Sequence, residues 1–122
     1  MFLGNKFGAE AGTLNQEQVR VYHGSINDAT RVQALGLDPS RLPTWVTRDL
    51  AAARNAINLA IRVGRGRDLG IIEARVPKAD FNAVLAPNER TYPGFNGTLP
   101  GSSEIVLRTS EQAFLFNFHT VR

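Results

Sequence analysis

Three short stretches of the sequence combine residue types that could bind a ligand and act on it. They are Tyr22-His23-Gly24-Ser25, Trp45-Val46-Thr47 and Ser102-Ser103-Glu104. The first sets an imidazole beside a glycine, the second sets an indole ring near a hydroxyl, and the third ends in a carboxylate that opens an apolar run. Each stretch supplies a different chemical group and is a weak signal alone. Their order along the chain is more informative about function than any one of them.

The side chains of these stretches suit a polar ligand that contains a planar ring. His23 can donate or accept a hydrogen bond, and Gly24 lets a ligand approach the backbone closely. Trp45 can stack on a planar ring, and the hydroxyl of Thr47, on the same face of a strand, can hold a carboxylate in place. Because an unpaired carboxylate is costly to bury, Glu104 belongs either at the rim of the fold or in a site.

Each residue also has an ordinary structural explanation. His23 can be a core histidine at the point where a strand turns, and Trp45 can be a core aromatic residue. Glu104 can be an exposed glutamate at the end of a strand. Taken singly, the first two residues favour the structural explanation, and Glu104 is evenly balanced.

The pattern of apolar residues predicts a small α+β domain that would position these side chains. The strongest helix signal lies between Asp49 and Gly64, and a shorter helix is predicted before Gly36. Thr109 and Gln112 match a capping box for a helical turn. Strands are predicted at 19–23, 44–47, 69–76, 104–108 and 114–121.

The same pattern gives expectations for the core and for the connecting segments. Leu35 and Ile61 continue the apolar faces of the two helices and are expected to point inward. Residues 82–101 are rich in glycine and proline and are predicted to form a long loop. Residues 1–15 show no period and are expected to be a flexible N-terminal segment, which leaves 16–122 as a single domain.

The composition excludes several kinds of site. The 122 residues include no cysteine, which rules out a disulfide scaffold, a thiolate zinc site and a cysteine nucleophile. With His23 and His119 as the two histidines, a multi-histidine metal centre is not expected. No apolar run approaches the roughly 20 residues that span a bilayer, and the first residues lack the pattern of a signal peptide. A net charge of +3 permits an anionic partner.

The order of the motifs resembles that of the ADP-ribosyltransferase fold. Tyr-His-Gly-Ser, then Trp-Val-Thr before an alanine-rich helix, then Ser-Ser-Glu opening a strand, is most similar to the small toxin domains at the C-termini of bacterial polymorphic and contact-dependent toxins. The similarity runs from about Val19 to Leu107. It implies a split pair of small β-sheets, with two or three helices around a cleft that holds NAD.

The resemblance also implies a role for each motif in consuming NAD, with no metal required. It assigns the contact with the ADP-side ribose to His23 and the contact with the nicotinamide amide to Gly24. Trp45 and Thr47 match the aromatic residue and the hydroxyl of the family's central strand. Glu104 matches the glutamate that binds the nicotinamide ribose, where a carboxylate would stabilise the oxocarbenium-like charge formed as the bond to nicotinamide breaks.

The expected site and its partners follow from this resemblance. The pyrophosphate of NAD could be contacted by arginines, the candidates being Arg48, Arg62, Arg65 and Arg67. The catalytic set is Glu104, His23 and Thr47, and the NAD-binding set is Tyr22, His23, Gly24, Ser25, Trp45, Thr47 and Arg48. The domain is expected to be a secreted or delivered effector that acts in the cytoplasm of a target cell. It is expected to have no membrane partner and to have a cognate immunity protein that plugs the cleft.

Departures from the family pattern leave the acceptor open. Arginine-modifying members usually carry Glu or Gln two residues before the catalytic glutamate, where this chain has Ser102. Another side chain, a nucleic acid, a small molecule or water could take that role, the last making the chain an NAD glycohydrolase. Trp45 stands where the family has tyrosine. A basic RNA-directed nuclease toxin, with two histidines for acid–base work, and a non-catalytic binding module are the remaining alternatives.

Overall fold

The computed structural model describes residues 17–91, 103–113 and 118–121, the last for the backbone alone. The N-terminal segment predicted to be flexible lies outside these residues, and so does the loop predicted at 92–101. No helix in the described part of the chain is long and apolar enough to cross a membrane. The longest helix there has 13 residues.

The described strands form two antiparallel sheets of three strands each. The first sheet has the order β1–β3–β6, and the second has the order β2–β5–β4, so β3 and β5 are the central strands. The strands are β1 (Gln18–Ser25), β2 (Thr44–Val46), β3 (Gly70–Pro77), β4 (Glu89–Thr91), β5 (Ser103–Leu107) and β6 (Phe118–Val121). This arrangement confirms the predicted α+β class.

The two sheets meet where β1 passes the end of β2. Tyr22 donates its N–H to the carbonyl oxygen of Thr47 at 2.7 Å, and Thr47 donates its N–H to the carbonyl oxygen of Tyr22 at 2.9 Å. This pair of backbone hydrogen bonds is the junction of the sheets. His23, on β1, and Trp45, on β2, lie next to it along their strands.

Two helices pack against the first sheet, α1 (Ala29–Leu35) and α2 (Leu50–Arg62). The helix predicted from Asp49 is confirmed, since the Asp49 carboxylate accepts the N–H of Ala51 at 2.9 Å and so caps α2. Ala53 and Ile57 of α2 are buried beside Ile71 of β3. The helix therefore covers the sheet face that carries Tyr22.

A second helical region lies between β3 and β4 in the chain, and its Leu85 packs in the core shared by the two sheets. Three short elements follow one another, an α-helical turn α3 (Lys78–Asp80), a π-helical segment (Phe81–Leu85) and a 3-10 turn (Ala86–Asn88). A last turn, α4 (Ser110–Ala113), has the predicted capping box, because Gln112 accepts the N–H of Thr109 and donates its own N–H to the Thr109 hydroxyl.

The main core joins both sheets and is apolar. Its fully buried side chains include Val21, Ile72, Leu85, Ile105 and Leu107. Complete burial of such a side chain stabilises the folded state by about 1.5–3 kcal/mol. The core thus fixes β1, β3 and β5 relative to one another. Candidate residues lie on β1, β2 and β5.

Two residues expected in the core are exposed. Leu35 is 74% exposed because α1 ends there, the chain reverses at Gly36 with φ at 84°, and Leu37 takes the buried position instead. Ile61 is 58% exposed because the buried stripe of α2 ends at Ala60, and Ile61 lies on the neighbouring side of the helix. Both predictions were wrong. Each residue lies near the C-terminal end of its helix, where a shift of one residue in the end of the buried face changes whether a side chain points inward.

The predicted loop at 82–101 is wrong over its first half. Residues 82–88 are helical, and Glu89–Thr91 form β4. Pro87, which signalled a loop, lies in the first positions of its 3-10 turn. A proline costs no backbone hydrogen bond at that place, since the first N–H groups of a helix have no partner within it.

Candidate functional site

A cleft of about 560 Å³ opens beside the junction of the two sheets. One wall is apolar and comes from Ala56 and Leu59 in the second half of α2 and from Val63 directly after it. The end of β1 and the start of β2 form its floor. A polar end lies between the loop after β1 and the segment before β2. The cleft therefore has an apolar middle and one polar end.

His23 is held at the floor of this cleft by the backbone of β2. Its Nδ1 atom lies 2.8 Å from the carbonyl oxygen of Trp45, and the residue is 8% exposed. Because a carbonyl oxygen can only accept, Nδ1 carries the proton and donates it. Burial lowers the pKa of His23 below its usual value of 6.5, although the Trp45 carbonyl and the Asp28 carboxylate both act to raise it. The imidazole is therefore neutral at pH 7.

The other ring nitrogen of His23 is available to a ligand. Nε2 makes no hydrogen bond with a described residue, and it is not among the buried polar atoms that lack a partner. His23 itself lines the cleft. In the neutral tautomer fixed by Trp45, Nε2 is a hydrogen-bond acceptor.

Gly24 and Trp45 form the apolar part of the floor. A methyl group at Gly24 would lie 3.5 Å from Cη2 of Trp45 and 3.6 Å from Cδ1 of Ile57. The glycine thus leaves a space one carbon wide between the indole ring and α2. The ring centroids of His23 and Trp45 are 6.0 Å apart with an angle of 57° between their planes. A flat ligand ring could lie against this tryptophan.

The polar end contains residues that sequence reasoning missed. Asp28, the residue before α1, makes no capping hydrogen bond with its side chain and accepts one from the Ser25 hydroxyl instead. Arg41 lies 3.5 Å from Asp28 and 3.7 Å from Asp38. The spacing of residues along the chain could not reveal this cluster, because Asp28 and Arg41 are 13 positions apart and α1 lies between them.

Thr47 has a structural task next to the cleft. It is 1% exposed, and its hydroxyl donates to the carbonyl oxygen of Ser103 at 2.6 Å while accepting the N–H of Asp49 at 3.0 Å. The hydroxyl was expected to hold a carboxylate, but it donates its proton to the backbone just before Glu104. Thr47 positions the start of β5 and the start of α2 together.

Glu104 lies on the same face of the second sheet as Trp45. Trp45 pairs with Val106 across the antiparallel ladder, and Glu104 is two residues from Val106 on β5. Residues directly opposite in a ladder share a face, as do residues two apart on a strand. Glu104 is half-buried, and among the described residues it does not line the cleft. Along the strand direction, Glu104 lies two residues, or about 7 Å, from the position opposite Trp45.

The structure brings part of the expected NAD-binding set together. His23, Gly24, Ser25 and Trp45 line the cleft. Tyr22 and Thr47 form the adjoining junction, outside the cleft lining in the described part of the chain. The expected meeting of Glu104 with His23 around one ligand stays a prediction.

Arg48 has partners of its own, away from the cleft. Its guanidinium donates to the Glu89 carboxylate at 2.8 Å and 2.5 Å, and it lies 5.2 Å from the centre of the Phe81 ring. A pyrophosphate would have to compete with this two-bond ion pair. Of the other arginines proposed for the pyrophosphate, Arg65 lines the cleft, whereas Arg62 and Arg67 do not.

No group of three or more His, Cys, Asp or Glu side chains within 17–91 and 103–113 could hold a metal ion. No protein-family model, curated protein or solved structure matches this chain. What the cleft binds is therefore inferred from its own residues.

Proposed function

We propose that this chain is an NAD-consuming bacterial toxin domain, an ADP-ribosyltransferase that cleaves the nicotinamide–ribose bond of NAD and transfers ADP-ribose to a target. The observation that carries the proposal is the meeting of His23, Gly24 and Trp45 at one cleft, with Glu104 on the sheet face of Trp45. These residues come from three strands that are distant in the sequence.

The arrangement of the sheets supports the same proposal. An ADP-ribosyltransferase-like fold requires a split pair of small sheets with the dinucleotide held beside the split. Here two three-stranded sheets meet at Tyr22 and Thr47, and the cleft opens next to that junction. The volume of about 560 Å³ lies within the usual range for small-molecule sites.

In the proposed reaction the cleft orients NAD, and Glu104 acts on its sugar. Trp45 stacks on the nicotinamide ring, and the backbone at Gly24 lies against the carboxamide. As the bond from C1′ of the ribose to the ring nitrogen breaks, its electron pair leaves with nicotinamide, which becomes neutral. The Glu104 carboxylate, beside the ribose hydroxyls, stabilises the cationic sugar.

The acceptor completes the transfer. A nucleophile on the target forms the new bond to C1′ and loses a proton to solvent or to a nearby base. If water takes this place, the same site hydrolyses NAD, so transfer and hydrolysis differ only in the nucleophile. The role of the chain as a delivered effector with an immunity protein belongs to the same proposal.

Nicotinamide release tests the proposal. The purified protein is incubated with NAD, with and without cell lysate, and free nicotinamide and labelled products are separated by chromatography. We expect Glu104→Gln to reduce release about 100- to 1000-fold, as removal of one preorganised electrostatic group does. Glu111→Gln is the matched control, because Glu111 is exposed on α4 and should leave the rate unchanged.

Two results would contradict the proposal. One is the absence of nicotinamide release, of labelled product and of NAD binding. Binding is measured by the fluorescence of Trp45, the only tryptophan of the chain. The other is RNA cleavage that Glu104→Gln leaves intact and His119→Ala abolishes, which would favour the nuclease.

A further inference from the structure

We infer that the segment of residues 61–67, at the edge of the cleft, binds single-stranded nucleic acid and presents it as the acceptor of ADP-ribose. The role of the strand as acceptor rests on the proposed function, whereas its binding does not. We call these residues the arginine segment, because they include Arg62, Arg65 and Arg67.

Every residue of the arginine segment is exposed. The segment begins in the last turn of α2 and continues through the turn that contains Gly64 and Gly66. Two of its apolar side chains, Ile61 and Val63, are 58% and 56% exposed. The segment therefore forms surface next to the cleft and contributes little to the core.

The three arginines have no anionic partner among the described residues. None of them makes an ion pair or a side-chain hydrogen bond there. Asp68, the carboxylate that follows the segment, instead accepts the N–H of Thr30 at 2.9 Å and the hydroxyl of Thr30 at 3.0 Å. The arginine segment thus presents three guanidinium groups that are free to bind an anion.

The carboxylates that line the cleft do not neutralise this segment either. Asp28 and Asp38 lie 3.5 Å and 3.7 Å from Arg41, within ion-pair distance. Arg41 and Arg65 are the two arginines of the described cleft lining, and Arg65 has no such pair. Positive charge that is not neutralised therefore lies where the cleft meets the arginine segment.

The backbone of the segment is held by contacts that do not involve the arginine side chains. Arg65 donates its N–H to the carbonyl oxygen of Ala60 at 2.8 Å, and Arg67 donates its N–H to the carbonyl oxygen of Ile26 at 2.9 Å. Gly66 lies so close to Ile26 that an added methyl group would be 2.7 Å from the same oxygen. A turn that is already ordered lowers the entropic cost of binding a ligand.

The balance of charge and apolar surface fits nucleic acid better than an acidic protein. A stable protein interface buries about 800 Å² on each partner and has an apolar centre. In the described part of the chain, the large apolar side chains exposed on or beside the segment are Ile61, Val63 and Leu69, too few for such a centre. Interfaces with nucleic acid are more polar and more positive, and a guanidinium binds phosphate through two parallel hydrogen bonds.

Val63 and Arg65 connect this surface to the cleft, because both line it. A strand bound along the segment therefore lies at the edge of the proposed NAD site. The bases and hydroxyls of a single strand are unpaired and free to turn toward the cleft. An amino or hydroxyl group of the strand attacks C1′ with a lone pair and gives its proton to water, while nicotinamide leaves with the electron pair of the broken bond.

Binding of a fluorescent single strand of about 20 nucleotides, in the absence of NAD, tests the docking site. Fluorescence anisotropy is followed for poly-U RNA and poly-dT DNA at several salt concentrations. Each neutralised phosphate of a single strand contributes about −0.7 to the slope of log affinity against log salt. We expect a slope of about −2 for the wild type and about −0.7 for the double variant Arg62→Gln/Arg67→Gln.

The double variant Arg75→Gln/Arg108→Gln is the matched control. It removes two exposed arginines from β3 and from the residue after β5, so the net charge changes by the same amount. The control should keep the wild-type slope. Three results would overturn the docking site: no binding at about 20 mM salt, an equal loss of slope in both double variants, or tighter binding of polyglutamate than of either strand. The last result would favour an acidic protein.

NAD labelled in its adenosine half tests the role of the strand as acceptor. We expect label to enter the strand as nicotinamide is released, and to fall about tenfold or more in Arg62→Gln/Arg67→Gln. Nicotinamide release without label in the strand would overturn the acceptor assignment and leave the proposed function standing. Strand binding without any nicotinamide release would overturn the proposed function and the acceptor role together, and leave the docking site standing.

Discussion

The hydroxyl of Thr47 donates a hydrogen bond to the carbonyl oxygen of Ser103, 56 positions later in the chain. Through this bond the end of β2 holds the residue that precedes Glu104. The same hydroxyl accepts the N–H of Asp49, whose carboxylate caps α2. One side chain therefore couples the candidate catalytic strand to the helix that forms the cleft wall.

Replacement of Thr47 by valine should destabilise the protein. The change keeps the shape of the side chain but leaves the carbonyl of Ser103 and the N–H of Asp49 without their buried partner. We expect a loss of about 1–3 kcal/mol in the free energy of unfolding, measured by urea denaturation. Thr47→Ser retains the hydroxyl and should recover most of the loss. Equal stability of Thr47→Val and the wild type would show that the hydroxyl does not hold β5.

The stability of the protein should fall as the pH is lowered below about 6.5. Burial lowers the pKa of His23 in the folded state, so in this range the unfolded chain binds more protons than the folded one. The contribution is fully present above pH 6.5 and decreases by at most about 1.4 kcal/mol per pH unit below it. Urea denaturation between pH 5.5 and about 7.5 measures this slope.

The two histidines of the chain allow a matched control for that slope. His23→Gln should flatten the dependence on pH between about 5.5 and 6.5, because the titrating group is gone. His119→Gln should retain it. A slope that His23→Gln leaves unchanged would assign the proton uptake to another group.

Replacement of Gly24 by alanine should weaken NAD binding without unfolding the protein. The added methyl group would lie at ordinary contact distances of 3.5–3.6 Å from its neighbours, so the empty fold accommodates it. It would occupy the floor of the cleft, where the nicotinamide is proposed to lie. We expect stability to change by less than about 1 kcal/mol, with NAD affinity reduced about tenfold or more. Unchanged affinity in fluorescence titrations would place the nicotinamide elsewhere.

Two glycines after α2 should differ in their tolerance of alanine. Both have positive φ, 70° at Gly64 and 92° at Gly66, so both substitutions strain the backbone. A methyl group at Gly64 meets no atom within 4 Å, whereas at Gly66 it would lie 2.7 Å from the carbonyl oxygen of Ile26. Gly66→Ala should therefore lose stability by about 1–3 kcal/mol, and Gly64→Ala by less. Thermal unfolding of the two variants compares them directly.

Local sequence patterns were sufficient for most of the secondary structure. The alternation of Val19 with Val21 and the apolar stripe of α2 reflect burial on one face, which repeats at short intervals and can be read without tertiary contacts. His23, Gly24 and Trp45 could be proposed as site residues because their side-chain chemistry is distinctive. Their meeting at one cleft follows from the isolated antiparallel bridge between Tyr22 of β1 and Thr47, the residue after β2.

Long-range ion pairs could not be predicted in the same way. Arg48 was expected near a pyrophosphate, but it pairs with Glu89, 41 positions away. Asp28 and Arg41 converge because the chain reverses between α1 and β2. An isolated charge in a sequence gives no sign of its partner, so only the folded chain shows which arginines are already neutralised.

The joint between the sheets at Tyr22 and Thr47 consists of two backbone hydrogen bonds, with the cleft immediately beside it. A ligand that touches both His23 and the Trp45 ring would contact the strands on both sides of this bridge and hold them together. Amide protons at Tyr22 and Thr47 should then exchange with deuterium more slowly once the cleft is filled, which would report occupancy even when no reaction takes place.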